Sequence, residues 1–106
     1  MNKNGFIYCA DHINIGNDVL IGWNVNIRDN DGHTIYYDDG HRNTMRPVNI
    51  GNHVWIAADS SILKCSLGDN IVVASNTVVY KSFFNSNILI GGQPVKVLKE
   101  NIQWRI

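Results

Sequence analysis

A large aliphatic residue recurs every six positions along most of this sequence. From residue 9 the chain divides into the steps CADHIN, IGNDVL, IGWNVN and IRDNDG, and from residue 50 into IGNHVW, IAADSS, ILKCS, LGDNIV and VASNTV. An amphipathic helix repeats its apolar positions every three or four residues and a half-buried strand every two, so neither pattern fits. Short strands joined by tight turns do fit, and the spacing is typical of a hexapeptide parallel β-helix.

Each position of a step has a distinct role in such a coil. The aliphatic residue at the first position points into a narrow core, the fifth packs at a corner, and the second is small because we expect the backbone to turn there. Twelve steps from Lys3 through Val79, at three steps per turn, predict an all-β fold of about four coils. The step that begins at Ile62 is one residue short, which predicts a tighter corner. A β-sandwich or roll whose strands share this spacing is the alternative.

The totals limit the kinds of protein and partner. The 106 residues fit one domain, residues 1–106, and nine basic side chains balance nine acidic ones, so no nucleic acid partner is indicated. No apolar stretch is long enough to span a bilayer and no secretory leader is evident, so we expect a cytoplasmic protein without membrane insertion. Cys9 and Cys65 form neither a disulfide pattern nor a zinc motif, and no metal is expected.

Residues 28–47, RDNDGHTIYYDDGHRNTMRP, interrupt the repeat with polar, aromatic and turn-forming residues. A loop of this length in a compact fold is either functional or disordered, and its apolar residues favour an ordered loop that protrudes from the coils. At the other end, Val95, Leu98 and Ile102 recur at helical spacing after Pro94. They predict a short C-terminal helix, within a cap of residues 93–106, that closes the open end of the coils.

Five short motifs carry a family resemblance in their order: IGNDVLIGWNVNI, the DNDGH segment, RPVNIGNHVWIAADSSIL, LGDNIVVASNTVV and GGQPVKVLK. From about Ile13 to Lys99 the chain resembles the hexapeptide-repeat acyltransferases, in particular the O-acetyltransferases that modify galactosides, maltose and polysaccharides. The resemblance implies a left-handed β-helix, a triangular prism that works as a homotrimer with the coenzyme A groove between adjacent prisms. It also implies acetyl-CoA as the acyl donor.

On this resemblance His33 matches the catalytic histidine of the family. Acetyl transfer from a thioester to a hydroxyl needs a base, and a neutral imidazole with a pKa of about 6.5 suits that role at neutral pH. Asp29 and Asp31 are expected to orient the ring or to favour the imidazolium formed during transfer. The alternative for His33 is an ordinary solvated loop residue. The other three histidines are expected to face solvent: His12, His41 and His53.

The resemblance further implies a set of acetyl-CoA contacts: Trp55, Ala58, Ala74, Asn76, Lys96 and Lys99. Trp55 matches a tryptophan beside the cofactor, and Ala58 matches a position whose backbone amide serves the thioester carbonyl. Ala74 and Asn76 lie where the family has a glycine-rich segment. Lys96 and Lys99 match basic residues that face the phosphates of coenzyme A. The alternatives are a tryptophan that covers a coil edge and lysines on a solvated helix face.

The sequence therefore predicts an acetyl-CoA-dependent O-acetyltransferase that acts on a sugar or polysaccharide hydroxyl by direct transfer, with His33 as general base; an amine acceptor stays open. A non-catalytic trimeric scaffold or binding module is the alternative, which the expected absence of the family's upstream segment and the replacement of some of its glycines would favour. A γ-type carbonic anhydrase is a third interpretation. It requires a close histidine pair, whereas His33 and His41 are eight residues apart.

Overall fold

The chain winds as a parallel β-helix of four coils in the computed structural model, which describes residues 4–106. Each full coil contributes one short strand to each of three sheets, as the six-residue repeat predicts. Lys3, where the first predicted step begins, lies outside the described residues. The strands in chain order are β1 Phe6–Tyr8, β2 Ile13–Ile15, β3 Leu20–Ile21, β4 Asn26–Arg28, β5 Val48–Ile50, β6 Trp55–Ile56, β7 Ser61–Leu63, β8 Ser66–Leu67, β9 Ile71–Val73, β10 Val78–Val79, β11 Ile88–Gly91 and β12 Lys96–Glu100.

Three parallel sheets form the sides of an elongated molecule of 45 × 27 × 21 Å. Sheet A stacks β1, β4, β7 and β10, sheet B stacks β2, β5 and β8, and sheet C stacks β3, β6, β9 and β11. In the fourth coil Phe83 extends sheet B through an isolated parallel bridge to Leu67. The all-β prediction is confirmed. Separately, no helix in residues 4–106 is long and apolar enough to cross a membrane.

The core is a narrow column of first-position side chains. Ile27, Ile56, Ile62 and Val73 are fully buried, and Ile50 is 2% exposed. Burying such a side chain contributes about 1.5–3 kcal/mol each, so the column is the main source of stability. The predicted role of the first position is confirmed.

The corners of the coils contain residues with positive φ angles, and most of these stand at the fourth position of a step. They include Asp18, Asn24, His53, Asp59, Asn70 and Asn76, with φ between 56° and 62° for five of them and 65° for Asp59. Asparagine and aspartate enter this region more readily than other residues with a side chain. The prediction that the backbone turns at the second position is therefore wrong.

At the corner between sheets B and C, glycine occupies the second position because the coils touch there. A Cβ atom on Gly16 would lie 2.6 Å from the carbonyl oxygen of Gly51, and one on Gly51 would lie 2.7 Å from the carbonyl carbon of Gly68. Both distances are shorter than Cβ atoms tolerate against backbone. The column of second-position glycines thus allows one coil to stack closely on the next.

The predicted C-terminal helix is wrong, because residues 96–100 form strand β12. This strand runs antiparallel to β11 and becomes the last strand of sheet C. The free edge of β11 presents backbone N–H and C=O groups that a strand satisfies and a helix does not. Pairing with this edge outweighs the helical spacing of Val95, Leu98 and Ile102, so a strand caps the prism.

Candidate active site

Residues 29–47 form an ordered loop that connects β4 to β5 and leaves the prism at the corner between sheets A and B. This agrees with the predicted loop at 28–47. Its ends are joined by a hydrogen bond from the Arg46 amide to the Asp29 carbonyl, 3.0 Å long. Its tip is a small hairpin in which Tyr36 and Arg42 form an antiparallel bridge. Since the loop is hydrogen-bonded at both base and tip, it can hold a side chain in a defined place.

His33 lies near the base of this loop and lines an open cavity of about 280 Å³. Tyr8, Asn30, Thr34 and Met45 line the same cavity, which mixes apolar surface with hydrogen-bonding groups. The imidazole is exposed, and within residues 4–106 no hydrogen bond reaches its ring. Its backbone is held, since the Asn43 side-chain amide donates to the His33 carbonyl at 3.0 Å.

Asp29 is fully buried and receives hydrogen bonds from the backbone of the first coil. The amides of Ala10, Asp11 and His12 each donate to its carboxylate at 2.8 Å. Burial alone raises the pKa of Asp29, but these donors and the Asn30 side chain outweigh it and hold the pKa well below its usual range. Asp29 thus anchors the first coil at the loop base, and it does not hydrogen-bond the His33 ring within the described chain.

Asp31 joins the loop to the next coil. Its Oδ2 atom accepts hydrogen bonds from Lys64 Nζ and from the Asn43 side-chain amide, both 2.6 Å long. Lys64 first and Asn43 second hold the pKa of the Asp31 carboxyl below its usual range. Asp31 therefore links Asn43 of its own loop to Lys64 of the next coil, and within residues 4–106 it makes no hydrogen bond to the His33 imidazole.

Trp55 stands on the outer side of β6, next to a second indole. Its side chain is half-exposed, and the Trp104 ring lies 6.0 Å away between centroids, tilted by 43°. His53 stacks on Trp104, and its ring nitrogens contact Asp18 Oδ2 at 2.5 Å and the Trp104 carbonyl at 2.8 Å. His53 is therefore half-buried and bonded, and the prediction that it faces solvent is wrong.

The corner between sheets C and A contains Ala58, Ala74 and Asn76. Within residues 4–106 the Ala58 amide donates no hydrogen bond, while its carbonyl accepts one from the Asn76 amide at 3.1 Å. The Ala74 amide is occupied by the Ile90 carbonyl at 2.9 Å. Asn76 has a φ of 62°, in the left-handed backbone region that the other corner residues also adopt. Of the two alanine amides, that of Ala58 is the one without an acceptor in the part of the chain that the structure describes.

Lys96 and Lys99 lie on one face of sheet C. Lys96 pairs with Gly91, and Lys99 pairs with Leu89. The two lysines are three residues apart and their partners two, because the register shifts by one residue between Leu89 and Ile90. Residues that pair across an antiparallel ladder share a face, and Gly91 and Leu89 are two positions apart. Both exposed ammonium groups therefore project from the same surface, opposite the buried side chain of Ile90.

The predicted site residues fall into two separate groups within one chain. His33 belongs to the corner between sheets A and B, whereas Ala58, Ala74 and Asn76 lie at the corner between sheets C and A. Trp55, Lys96 and Lys99 belong to sheet C itself. The whole width of sheet A separates the histidine from the predicted acetyl-CoA contacts, and a single prism does not bring them together.

Sequence reasoning missed Lys64, Asn43 and Trp104. Lys64 stands in the short step that begins at Ile62, so the irregular spacing was the available signal for it. Asn43 lies in a loop of many polar residues, and Trp104 lies beyond the last repeat, so neither carried a signal of its own. Within the described chain, no three His, Cys, Asp or Glu side chains come together as a possible metal site.

Comparison with known proteins gives consistent relatives. No protein-family profile matches the chain. A polysialic acid O-acetyltransferase of Neisseria meningitidis is 50% identical over 106 aligned positions, and the alignment covers 95% of this chain and 49% of that protein. The chain thus spans about half the length of this curated relative.

Solved structures agree in fold. The polysialic acid O-acetyltransferase OatWY superposes with a TM-score of 0.73 at 35% identity, covering 97% of this chain and 57% of that one. A galactoside acetyltransferase in complex with coenzyme A gives a TM-score of 0.72 at 25% identity, covering 92% and 56%. The predicted resemblance to sugar O-acetyltransferases is confirmed, and with it the left-handed β-helix.

Proposed function

We propose that residues 1–106 act as one catalytic domain of an acetyl-CoA-dependent O-acetyltransferase that acetylates a saccharide hydroxyl, with polysialic acid as the first acceptor to test. The observation that carries the proposal is the 50% identity to a polysialic acid O-acetyltransferase over 95% of the chain. The open cavity beside His33 supports it, since a saccharide chain needs an accessible surface with hydrogen-bonding groups.

In the proposed mechanism His33 acts as general base in a direct transfer. Its neutral imidazole accepts the proton of the acceptor hydroxyl while the hydroxyl oxygen attacks the thioester carbonyl carbon. The carbon–sulfur bond then breaks, and the departing coenzyme A thiolate takes the proton from the imidazolium. The free amide of Ala58 is the proposed donor to the oxyanion. No enzyme nucleophile is needed, because the thioester is already activated.

We infer that the working form is a homotrimer. The separation of His33 from Ala58 and Trp55 by the width of sheet A supports this inference. In a ring of three prisms the loop of one chain can approach the C–A corner of its neighbour, so that each groove takes the base from one chain and the cofactor contacts from the next. A cytoplasmic location, where acetyl-CoA is available, is part of the same proposal.

The test is acetyl transfer by the purified chain. Acetyl-CoA is supplied with oligomeric polysialic acid, with a galactoside or with maltose, and turnover is followed as free thiol and as acetylated product in the mass spectrum. The exposed Cys9 would react with a thiol reagent, so the assay uses a Cys9→Ser background. Burial raises the pKa of Cys65 to about 11, which keeps that thiol unreactive at the assay pH.

The decisive comparison is between two histidines of the same loop. His33→Ala is expected to lower kcat by about 10²- to 10⁴-fold, the contribution of a general base. His41→Ala is the matched control, since His41 is exposed and pairs only with Asp39 within residues 4–106, and it should keep wild-type turnover. Equal activity of the two variants would remove His33 from the mechanism.

A thermal shift distinguishes the enzyme from a non-catalytic scaffold. A ligand that binds only the folded state raises the unfolding midpoint, so acetyl-CoA should raise it in the wild type and in His33→Ala alike. If neither acetyl-CoA nor coenzyme A shifts the midpoint and no acceptor is acetylated, the scaffold is the better description.

A further inference from the structure

The shortened step that begins at Ile62 forms the corner next to the His33 loop. This corner joins β7 to β8 and lies between sheets A and B, one coil beyond the corner from which the loop leaves. Lys64 occupies it with a φ of 52°, and its amide donates to the Arg28 carbonyl at 2.8 Å. Lysine rarely adopts this backbone conformation, in contrast to the asparagine and aspartate at most other corners.

The side chain of Lys64 reaches back to the loop. Its ammonium donates to Asp31 Oδ2 at 2.6 Å and to the Thr44 carbonyl at 3.1 Å, so it contacts both arms of the loop. The Lys64 side chain is 17% exposed and that of Asp31 is 32% exposed. An ion pair that is shielded to this degree and fixed by further hydrogen bonds restrains geometry better than a fully solvated one.

Asn43 connects this ion pair to the histidine. Its side-chain amide donates to Asp31 Oδ2 at 2.6 Å and to the His33 carbonyl at 3.0 Å. Its side-chain oxygen accepts from the Ile35 amide at 2.8 Å. Asn43 thus binds the backbone on both sides of Thr34, as a neighbouring strand would, and fixes the position from which the imidazole projects.

We propose that Lys64, Asp31 and Asn43 form a loop clamp that positions His33 for catalysis, with Lys64 and Asn43 as positioning residues. The inference rests on the proposed function of His33 as base. Because no hydrogen bond within residues 4–106 holds the ring itself, its place in the cavity depends on the backbone that the clamp secures. The shortened step is then explained, since it brings the corner lysine within reach of both loop arms.

The kinetic test compares variants of the clamp with a lysine outside it. Lys64→Met and Asn43→Ala are expected to lower kcat by about 10- to 100-fold, the effect of displacing a catalytic group by about 1 Å, and to leave KM for acetyl-CoA within about twofold. Lys64→Arg should recover most of the rate, because a guanidinium also pairs with the Asp31 carboxylate. Lys81→Met, one coil further along the same corner, is the matched control and should behave as the wild type.

Hydrogen exchange tests the clamp without any turnover. The Ile35 amide donates a hydrogen bond to the Asn43 side-chain oxygen. It should exchange faster in Lys64→Met and Asn43→Ala than in the wild type or Lys81→Met. Slow exchange at core amides such as that of Ile62 shows that a variant is folded. If Lys64→Met does not fold, Lys64→Gln takes its place. Unchanged exchange at Ile35, or an unchanged kcat in an active enzyme, overturns the clamp. If the wild type acetylates no acceptor, the proposed function fails separately, and the exchange data still decide whether the clamp exists.

Discussion

The imidazole of His53 lies flat against the indole of Trp104, with ring centroids 4.0 Å apart and ring planes inclined by 12°. The two residues also exchange hydrogen bonds, because Trp104 Nε1 donates to the His53 carbonyl at 2.9 Å and His53 Nε2 contacts the Trp104 carbonyl. This contact ties the last residues of the chain to the corner between sheets B and C. It also places Trp104 beside Trp55, at the predicted acetyl-CoA surface.

The His53–Trp104 contact is predicted to weaken as the pH rises. Asp18 first, and the Trp104 carbonyl second, raise the pKa of His53, because only the imidazolium donates from both ring nitrogens. The stabilisation is therefore complete below the unfolded pKa of about 6.5 and is lost as the pH rises through the higher folded value. Tryptophan fluorescence should report increasing solvent exposure of Trp104 over that range.

Two variants identify the titrating group. Asp18→Asn should move the fluorescence midpoint to lower pH, since the charge that raises the pKa is gone. His53→Asn keeps a residue that tolerates the φ of 56° at this corner and should abolish the transition. A transition of the same size in His53→Asn would assign it to another group.

Asp29→Ala is predicted to be strongly destabilising. It leaves the amides of Ala10, Asp11 and His12 without their charged acceptor at a partly buried site, and the expected loss in the free energy of unfolding is about 2–5 kcal/mol. Asp38→Ala, on the exposed part of the same loop, should stay within about 0.5 kcal/mol of the wild type. Urea unfolding measures both, and equal midpoints would show that the first coil does not depend on Asp29.

The glycine column should tolerate no Cβ. Gly51→Ala places a methyl group 2.7 Å from the Gly68 carbonyl carbon, so the stacked coils must separate, at an expected cost of about 1–3 kcal/mol. Gly40→Asn is the control, because nothing lies within 4 Å of a Cβ there and asparagine tolerates a positive φ. Thermal unfolding should separate the two variants clearly. A similar midpoint for both would mean that coil stacking does not require glycine.

Lys96 and Lys99 are predicted to contribute together to acetyl-CoA binding. Replacing both by glutamine should weaken binding by about tenfold, as expected for losing two exposed charge contacts, and the difference should shrink at high salt. A short acetyl thioester without phosphates should react equally well with both proteins, and Lys81→Gln should match the wild type. Isothermal titration and KM measure these effects. Equal loss for the short thioester would assign the lysines a role other than phosphate contact.

Much of this structure was readable from local chemistry. The first-position aliphatics, from Ile27 to Val79, predicted the core column, and the break in their spacing located the loop and His33. A family resemblance supplied the handedness, which six-residue spacing leaves open. These features are determined by which residues recur and where the recurrence stops, and so they are present in the sequence itself.

Other features depend on groups that meet only after folding. Val95, Leu98 and Ile102 have helical spacing, yet residues 96–100 form a strand because they pair with the open edge of β11. Asp29 and Asp31 were expected beside the His33 ring, whereas one anchors the first coil and the other pairs with Lys64, 33 residues away. The sequence by itself determined the coil, its core and the loop, because each follows from short-range spacing. The tertiary structure alone decided which charges pair, which edge is covered and on which corner each site residue lies, because those contacts join residues from different coils.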